Sequence, residues 1–476
     1  MSLALEPAGL ATPPATSRFR WALPGLALIM LLSSLGTSIA HVSLPTLVRV
    51  FDSSFQAVQW VVLAYLLAIT TLIVSVGRLG DLFGRRRLLL AGIGAFSAAS
   101  LACALAGELW LLLAARALQG FGAALMLALG MAFVGDTVGR ERSGRAMGLL
   151  GTMSAVGTAL GPTLGGTLIA AFGWRAIFLI NLPLGVLAMA LVWRHLPLDR
   201  VTASTNRAAF DWRGSLLLAS TLAAYALAMT LGGGRAGPLN AALLGAVVVG
   251  VGLFVRVESR VAAPLLQPAL FQDRRIRHGV IMSGLATTVA MTTLVVGPFY
   301  LSGALALDAA HIGLVMSAGP LVAAVVGVPA GRAVDRFGAA RIAVAGLLAM
   351  LIGCIGLGTI SIRLGAWAYI VPLVTFTAGF ALFQAANNTA VMADSKADQR
   401  GVVSGLLNLS RNLGLITGAS VMGALYALGT ATADITRVTP AAASNGMHLA
   451  FGVATGLLCI ALALARRGRD AATADA

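Results

Sequence analysis

The chain has 476 residues, 58% of them hydrophobic and 11% charged, with a formal charge of +16 and a mean hydropathy of +0.91. That composition belongs to polytopic helical membrane proteins and excludes a string of soluble domains. The basic residues sit in small clusters between apolar runs, as in loops that face anionic lipid, which excludes a nucleic-acid-binding face.

A spanning helix needs about 20 apolar residues, and fourteen segments meet that criterion. The Ala/Pro-rich start, Met1 to Ser17, has no basic region followed by a cleavage site and reads as a short tail. The first span, 22–47, carries Gly36 and His41, and the second is 57–77. Between the second span and the third (88–107) runs Gly77-Arg78-Leu79-Gly80-Asp81-Leu82-Phe83-Gly84-Arg85-Arg86-Arg87, expected as a short loop because arginines are costly in hydrocarbon. The fourth span, 110–132, holds Leu112-x-x-x-Arg116-x-x-Gln119-Gly120, with Asp136 just beyond it. Arg116 has no acid within its own apolar segment and must face protein or a watery cavity. The fifth, 146–171, contains Gly157-x-x-x-Gly161-Pro162-x-x-Gly165-Gly166, a spacing that brings helix backbones together beside a proline bend. The sixth, 176–194, is entered through Trp174-Arg175 and carries Asn181, open between cavity lining and a helix–helix bond. Spans 213–232 and 238–256 follow, then 279–302 and 310–331. A second copy of the early motif, Gly331-Arg332-Ala333-Val334-Asp335-Arg336-Phe337-Gly338 and then Arg341, leads into 341–361, 366–388, 402–427 and 447–465.

With the N-terminus inside, cytoplasmic loops and tails hold 26 of the 33 Lys and Arg residues, and the outer loops hold five. This bias predicts an even number of spans with both termini cytoplasmic. The expected organisation is a tail (1–21), a six-helix bundle (22–194), a linker with two extra spans (195–278), a second six-helix bundle (279–465) and a tail (466–476). Two parallel repeats about an axis normal to the membrane would follow from the duplicated motif. Cys103, Cys354 and Cys459 lie in separate apolar runs without ligand-like spacing, so neither a metal nor a disulfide framework is expected.

The motif of residues 77–87, the Arg116 helix, the Gly-Pro-x-x-Gly-Gly core and Trp174–Gly185 together resemble the major facilitator superfamily, in particular its fourteen-helix drug:proton antiporters. Phe210-Asp211-Trp212-Arg213-Gly214 resembles that branch's entry to helix 7. The resemblance implies an all-α major facilitator fold with two inserted helices, and proton-coupled export by alternating access from a bacterial inner membrane. It further implies gating by Gly77, Asp81, Gly84, Arg85, Arg86 and Asp335, and a kinked fifth helix built on Gly157, Gly161, Pro162, Gly165 and Gly166. The arginine of the fourth helix is implicated in proton transfer in that family, which makes Arg116 a coupling candidate, with a carbonyl-capped structural arginine as the alternative.

The first span departs from the family's pattern. Leu35, Leu44 and Pro45 match, but Gly36 stands where that branch has an aspartate important for proton coupling, and His41 stands for its asparagine. All seventeen acids fall in expected loops, tails or helix ends. The embedded ionisable groups are then Arg116, His41 and Arg411. An unperturbed imidazole titrates near pH ~6.5, so His41 is a candidate proton carrier or a hydrogen-bonded structural histidine. Asp136 is the nearest acid on the cytoplasmic side. A cavity with net positive embedded charge favours neutral or anionic cargo.

Candidate cavity residues are Tyr65, Gln119, Asn181, Tyr300, Gln384, Asn387, Asn388, Asn408, Arg411 and Asn412, with inter-helix bonding the alternative for the amides. Asn408, Arg411 and Asn412 share a helix face by their spacing. No nucleotide-binding loop or nucleophile constellation occurs, so an enzyme is not expected and a proton gradient is the expected driving force, with no cofactor. The partners expected are a small-molecule substrate, protons and lipids, around a monomer. Competing readings are a uniporter or importer of a small organic anion, and a transport-inactive membrane receptor.

Overall fold

The computed structural model describes residues 15–137, 140–196, 212–231, 237–258, 273–393, 400–431 and 438–474, and every regular element among them is helical. The first bundle comprises α1 (Ala15–Val50), α2 (Phe55–Phe83), α3 (Arg85–Leu105), α4 (Leu109–Thr137), α5 (Arg140–Phe172) and one rod broken into α6 (Ala176–Leu179) and α7 (Asn181–His195). Next come α8 (Trp212–Thr230) and α9 (Pro238–Glu258). The second bundle comprises α10 (Arg274–Gly303), α11 (Ala309–Phe337), α12 (Ala339–Gly358), α13 (Gly365–Ala393), a rod made of α14 (Arg400–Thr417) and α15 (Gly423–Thr430), and α16 (Pro440–Ala474). A single π-helical turn, Gly418–Met422, joins α14 to α15. Among the described residues thirteen spans are long and apolar enough to cross a bilayer, and Leu216–Thr230 in α8 is a shorter apolar helix. The fourteen rods expected from hydropathy are therefore present.

The segment expected as a loop between the second and third spans is helix almost throughout. Residues 77–83 complete α2, and Arg85 already opens α3. Gly84 alone reverses the chain, at φ 90, a conformation that costs a residue with a Cβ considerably more. The second copy repeats this arrangement. Residues 331–337 complete α11, Gly338 turns at φ 85, and α12 starts at Ala339. Helices that outrun the hydrocarbon keep their arginines in the wet interface, so no long loop is needed.

The two bundles also pack alike. Gly92, eight residues after Gly84, lies against Leu125 and the Gly122 carbonyl, and a Cβ on Gly122 would meet the Phe96 nitrogen at 2.6 Å. Gly346, eight residues after Gly338, lies against the Gly379 carbonyl and the Phe383 nitrogen, at 2.7 and 2.6 Å from an added Cβ. Each turn thus leads into a glycine-mediated backbone contact, α3 on α4 and α12 on α13. Without a hydrophobic drive between helices in lipid, such close backbone packing is what holds a bundle together.

Connections alternate between two ends of the molecule. Gly84 and Gly338 lie at an arginine-rich end. The α1–α2, α5–α6 and α10–α11 turns lie at the opposite, arginine-poor end, where Ser54 caps α2 by accepting from the Ala57 N–H at 3.2 Å and Asp308 caps α11 by accepting from the His311 N–H at 2.8 Å. The inserted α8 contacts both bundles. Trp60 of α2 donates to Thr230 at 3.1 Å, and Tyr225 donates to Thr417 of α14 at 3.1 Å. α9 packs on α8 and otherwise presents Val248, Val249 and Val255 outward.

Candidate functional site

Three features make up the candidate site. The first is Arg116, the largest fully buried side chain among the described residues. Its Nε donates to the Val61 carbonyl of α2 at 2.7 Å, and one terminal nitrogen donates to the Gly36 carbonyl of α1 at 3.1 Å and to Gln119 at 2.5 Å. Gln119 in turn donates to Ser100 at 2.7 Å. The guanidinium carbon lies 4.2 Å from the centre of the Tyr65 ring, whose hydroxyl donates to the Ser33 carbonyl at 2.8 Å. This is the carbonyl-capped arrangement, in which oriented dipoles and a ring face disperse the charge without a carboxylate. The other terminal nitrogen of Arg116 has no partner.

On the first helix, a Cβ on Gly36 would come within 3.2 Å of both the Tyr65 hydroxyl and the Phe96 ring, so a side chain here would press on those two aromatics. His41, further along α1, is fully buried, and neither ring nitrogen has a partner among the described residues. Tyr65 and Gln119 therefore belong to the Arg116 network.

The second feature is the polar face of α14. Asn408 and Arg411 are exposed and Asn412 is half-buried, while the opposite face packs on α10. There Ser410 donates to the Val280 carbonyl at 2.6 Å, and Gly414 fits against the Gly284 carbonyl, 2.5 Å from an added Cβ. Arg411 makes no hydrogen bond or ion pair among the described residues. A guanidinium eleven residues into a spanning helix is expensive against hydrocarbon, which places this face toward water-accessible space. On α13, Gln384 is half-buried and Asn388 exposed, whereas Asn387 is buried and donates to the Gly279 carbonyl at 3.0 Å as a helix–helix bond. Of the seventeen acids, only Asp335 falls within a described span, in its last turn.

The third feature is a seam that joins the bundles at the arginine-poor end. The glycines of α5 divide between two partners. Gly157, Gly161 and Gly165 face α1, where added Cβ atoms would meet the Leu31 carbonyl at 2.4 Å, Ser38 Oγ at 1.9 Å and Ile39 Cγ1 at 2.9 Å. Gly166 faces α11 instead, where an added Cβ would meet the Ala309 carbonyl at 2.3 Å and Gly313 Cα at 3.0 Å. A Cβ on Gly313 would strike the Pro162 carbonyl at 2.4 Å. The seam continues at Phe55 of α2, edge-on to Phe299 of α10 with ring centres 4.5 Å apart and 6.0 Å from Tyr426 of α15. One turn further, the buried Gln59 lies on Gly423, just past the π turn.

The remaining candidates fall elsewhere. Asn181 is buried at the α6–α7 break with neither amide atom paired, and Tyr300 is buried, stacked on Tyr369 at 6.1 Å. Arg86 donates to the Trp193 carbonyl, tying α3 to α7. Asp335 is exposed. Gly77 lies within α2, and the side chains of Asp81 and Asp136 lie outside the described ones. Phe55, Gln59, Gly313 and Gly423 did not stand out in the chain. Gln59, an amide among the apolar residues at the start of α2, was the available signal.

A model described as Major Facilitator Superfamily matches residues 26–419 and 279–473. The riboflavin transporter RibZ of Clostridioides difficile is 30% identical over 396 residues, 83% of this chain and 86% of that protein. The drug efflux pump JefA of Mycobacterium tuberculosis is 34% identical over 412 residues, 85% of this chain and 79% of that one. Among solved structures, a bacterial homologue of the human lysosomal transporter Spinster superposes with a TM-score of 0.69 at 15% identity, covering 97% of this chain and 98% of that one, a likeness of fold.

Proposed function

The chain belongs to the major facilitator superfamily, and from that premise we propose that it exports small amphipathic compounds, neutral or anionic, in exchange for protons. The observation that carries the reading is the charge of the interior: among the described residues Arg411 stands unpaired on the polar face of α14, and no described span holds an acid outside the last turn of α11. An arginine fork in a partly dry cavity pairs with carboxylate or phosphate, whereas a multivalent cation meets only repulsion.

In this reading the arginine-rich end faces the cytoplasm of a bacterial cell, as clustered basic residues do. The seam of α5, α11, α2 and α15 then closes the outer face, and cargo loads from the cytoplasm. Rocking of the bundles parts the glycine contacts and opens the way out. His41, buried without a hydrogen-bond partner, is the proton carrier, and Arg116 organises the helices around it. The glycine seam supports export because the Gly-Pro-x-x-Gly-Gly core resembles the antiporter signature, and JefA, named a drug efflux pump, shares 34% of residues over 412 positions.

Uptake or uniport of a small organic solute is the second reading. It draws on the missing acid and on RibZ, named a riboflavin transporter. Transport in everted vesicles under an imposed pH gradient separates the two. Export predicts accumulation of anionic and neutral probes that collapses with a protonophore. Accumulation indifferent to the gradient supports uniport, and efficient accumulation of a lipophilic dication refutes the charge argument.

A further inference from the structure

The arginine-poor end holds a cleft of about 240 Å³ beside the seam. One wall is the end of α1, with Val48 and Arg49. The other is formed by Phe299 and Ser302 of α10 and Tyr426 of α15, with Val438 at the edge. Phe299 and Tyr426 are also the rings that receive Phe55, and both are buried, so the cleft adjoins the seam at its base. Arg49 is exposed and makes no hydrogen bond or ion pair among the described residues, and no acid among those residues lines the cleft.

We propose that this cleft is a ligand site for an aromatic or similarly compact amphipathic monoanion, separate from the transport cavity, and that its occupation holds the arginine-poor end closed. Size selects the class: the volume is below the roughly 300–1,000 Å³ of drug-sized sites, and suits one ring with small substituents. Chemistry selects the charge. An exposed guanidinium beside a hydroxyl, at the edge of two buried rings, favours a carboxylate joined to a compact apolar group.

The coupling follows from which bundle owns each wall. α1 belongs to the first bundle, and α10 and α15 belong to the second. A ligand that touches both walls has its full set of contacts only while they stand together. It therefore shifts the equilibrium toward closure by its difference in affinity for the two states, and closure reciprocally tightens its binding. At ten times its dissociation constant, a ligand bound only by the closed state changes the closed-to-open ratio about elevenfold. With this end outward, an exported anion that accumulates outside would slow its own transport.

The test is equilibrium binding of radiolabelled salicylate to the purified full-length protein in detergent, with thermal melting of each variant as a check on folding. Wild type is expected to bind saturably. Arg49→Gln, which removes the charge, and Val438→Trp, which fills the cleft, are each expected to weaken binding at least tenfold. Salicylamide, which lacks the charge, should compete poorly, and the component of salicylate binding that Arg49→Gln removes should persist in Arg411→Gln. Gly423→Ala, which wedges the seam, should weaken binding severalfold. Absence of saturable binding, or Arg49→Gln and Val438→Trp binding like wild type, overturns the site. Loss in Arg411→Gln with retention in Arg49→Gln assigns the probe to the transport cavity and also overturns it. Undiminished affinity in Gly423→Ala overturns the coupling to closure.

Discussion

Gln59 of α2 lies on Gly423 of α15 so closely that a Cβ on the glycine would fall 1.6 Å from the Gln59 amide nitrogen. The two residues belong to different bundles, so their fit joins one bundle directly to the other. Gly423→Ala should part the arginine-poor end, raising severalfold the labelling rate of a cysteine placed at Ser302 by an impermeant thiol reagent. Truncating the opposing side chain restores space, so Gln59→Ala combined with Gly423→Ala should return labelling toward the parental rate. A cycle of this kind isolates the contact itself.

The α5–α11 crossing predicts a different outcome. The atoms opposing Gly166 and Gly313 are the Ala309 and Pro162 carbonyls and the facing glycine backbone, so no truncation makes room. Overpacking of this kind costs about 1–3 kcal/mol. Gly166→Ala and Gly313→Ala should each lower transport in everted vesicles roughly tenfold or more while the protein still reaches the membrane. No single substitution on the other helix should rescue them.

Arg411 carries the charge argument. Arg411→Gln should raise KM for anionic compounds at least tenfold and leave neutral compounds within about twofold, because one charge-assisted hydrogen bond contributes about 1.5–3 kcal/mol. Equal loss for both classes would mean that the arginine supports structure alone.

Gly36→Asp places an acid near the cation that the Gly36 carbonyl now holds. The added Cβ meets Tyr65 and Phe96 at 3.2 Å, a distance closed by a shift of a few tenths of an ångström. The fixed interior charge falls by one. The variant should gain accumulation of the monocation ethidium in everted vesicles, and parental rates of ethidium movement would contradict the idea.

Asp308 offers a pH test outside the bilayer. Its carboxylate accepts from the His311 backbone N–H and lies 2.8 Å from the His311 ring nitrogen, which holds its pKa below the ordinary carboxylate value. A lowered folded pKa stabilises the protein above the ordinary carboxylate range, and that contribution is lost as pH falls through the folded value. Asp308→Asn should melt below wild type at pH 7, with the gap vanishing under strong acid.

Hydropathy and arginine placement made the fourteen rods legible, and the duplicated turn motif announced the two bundles. The spacing of Gly157, Gly161 and Gly165 gave away a tight helix contact, because small residues one turn apart can serve little else. That Gly166, the next residue, faces another bundle was not legible, since one step along a helix turns a side chain by about 100° and only the assembled fold says what stands there. Gln59 and Gly423, 364 positions apart, carry no shared local pattern. The segment 77–87 misled for the opposite reason: its charges suggested a loop, whereas one glycine was enough to turn the chain.

The bonds of α8 have a mechanical consequence. Trp60 ties it to the first bundle through Thr230, and Thr417 ties it to the second through Tyr225. In the proposed alternating-access cycle, α8 cannot keep both attachments in place when the bundles move apart. One hydroxyl bond must break on each stroke, or the helix must swing as a strut, so the inserted pair limits the travel of a machine that its twelve-helix core would otherwise leave unrestrained.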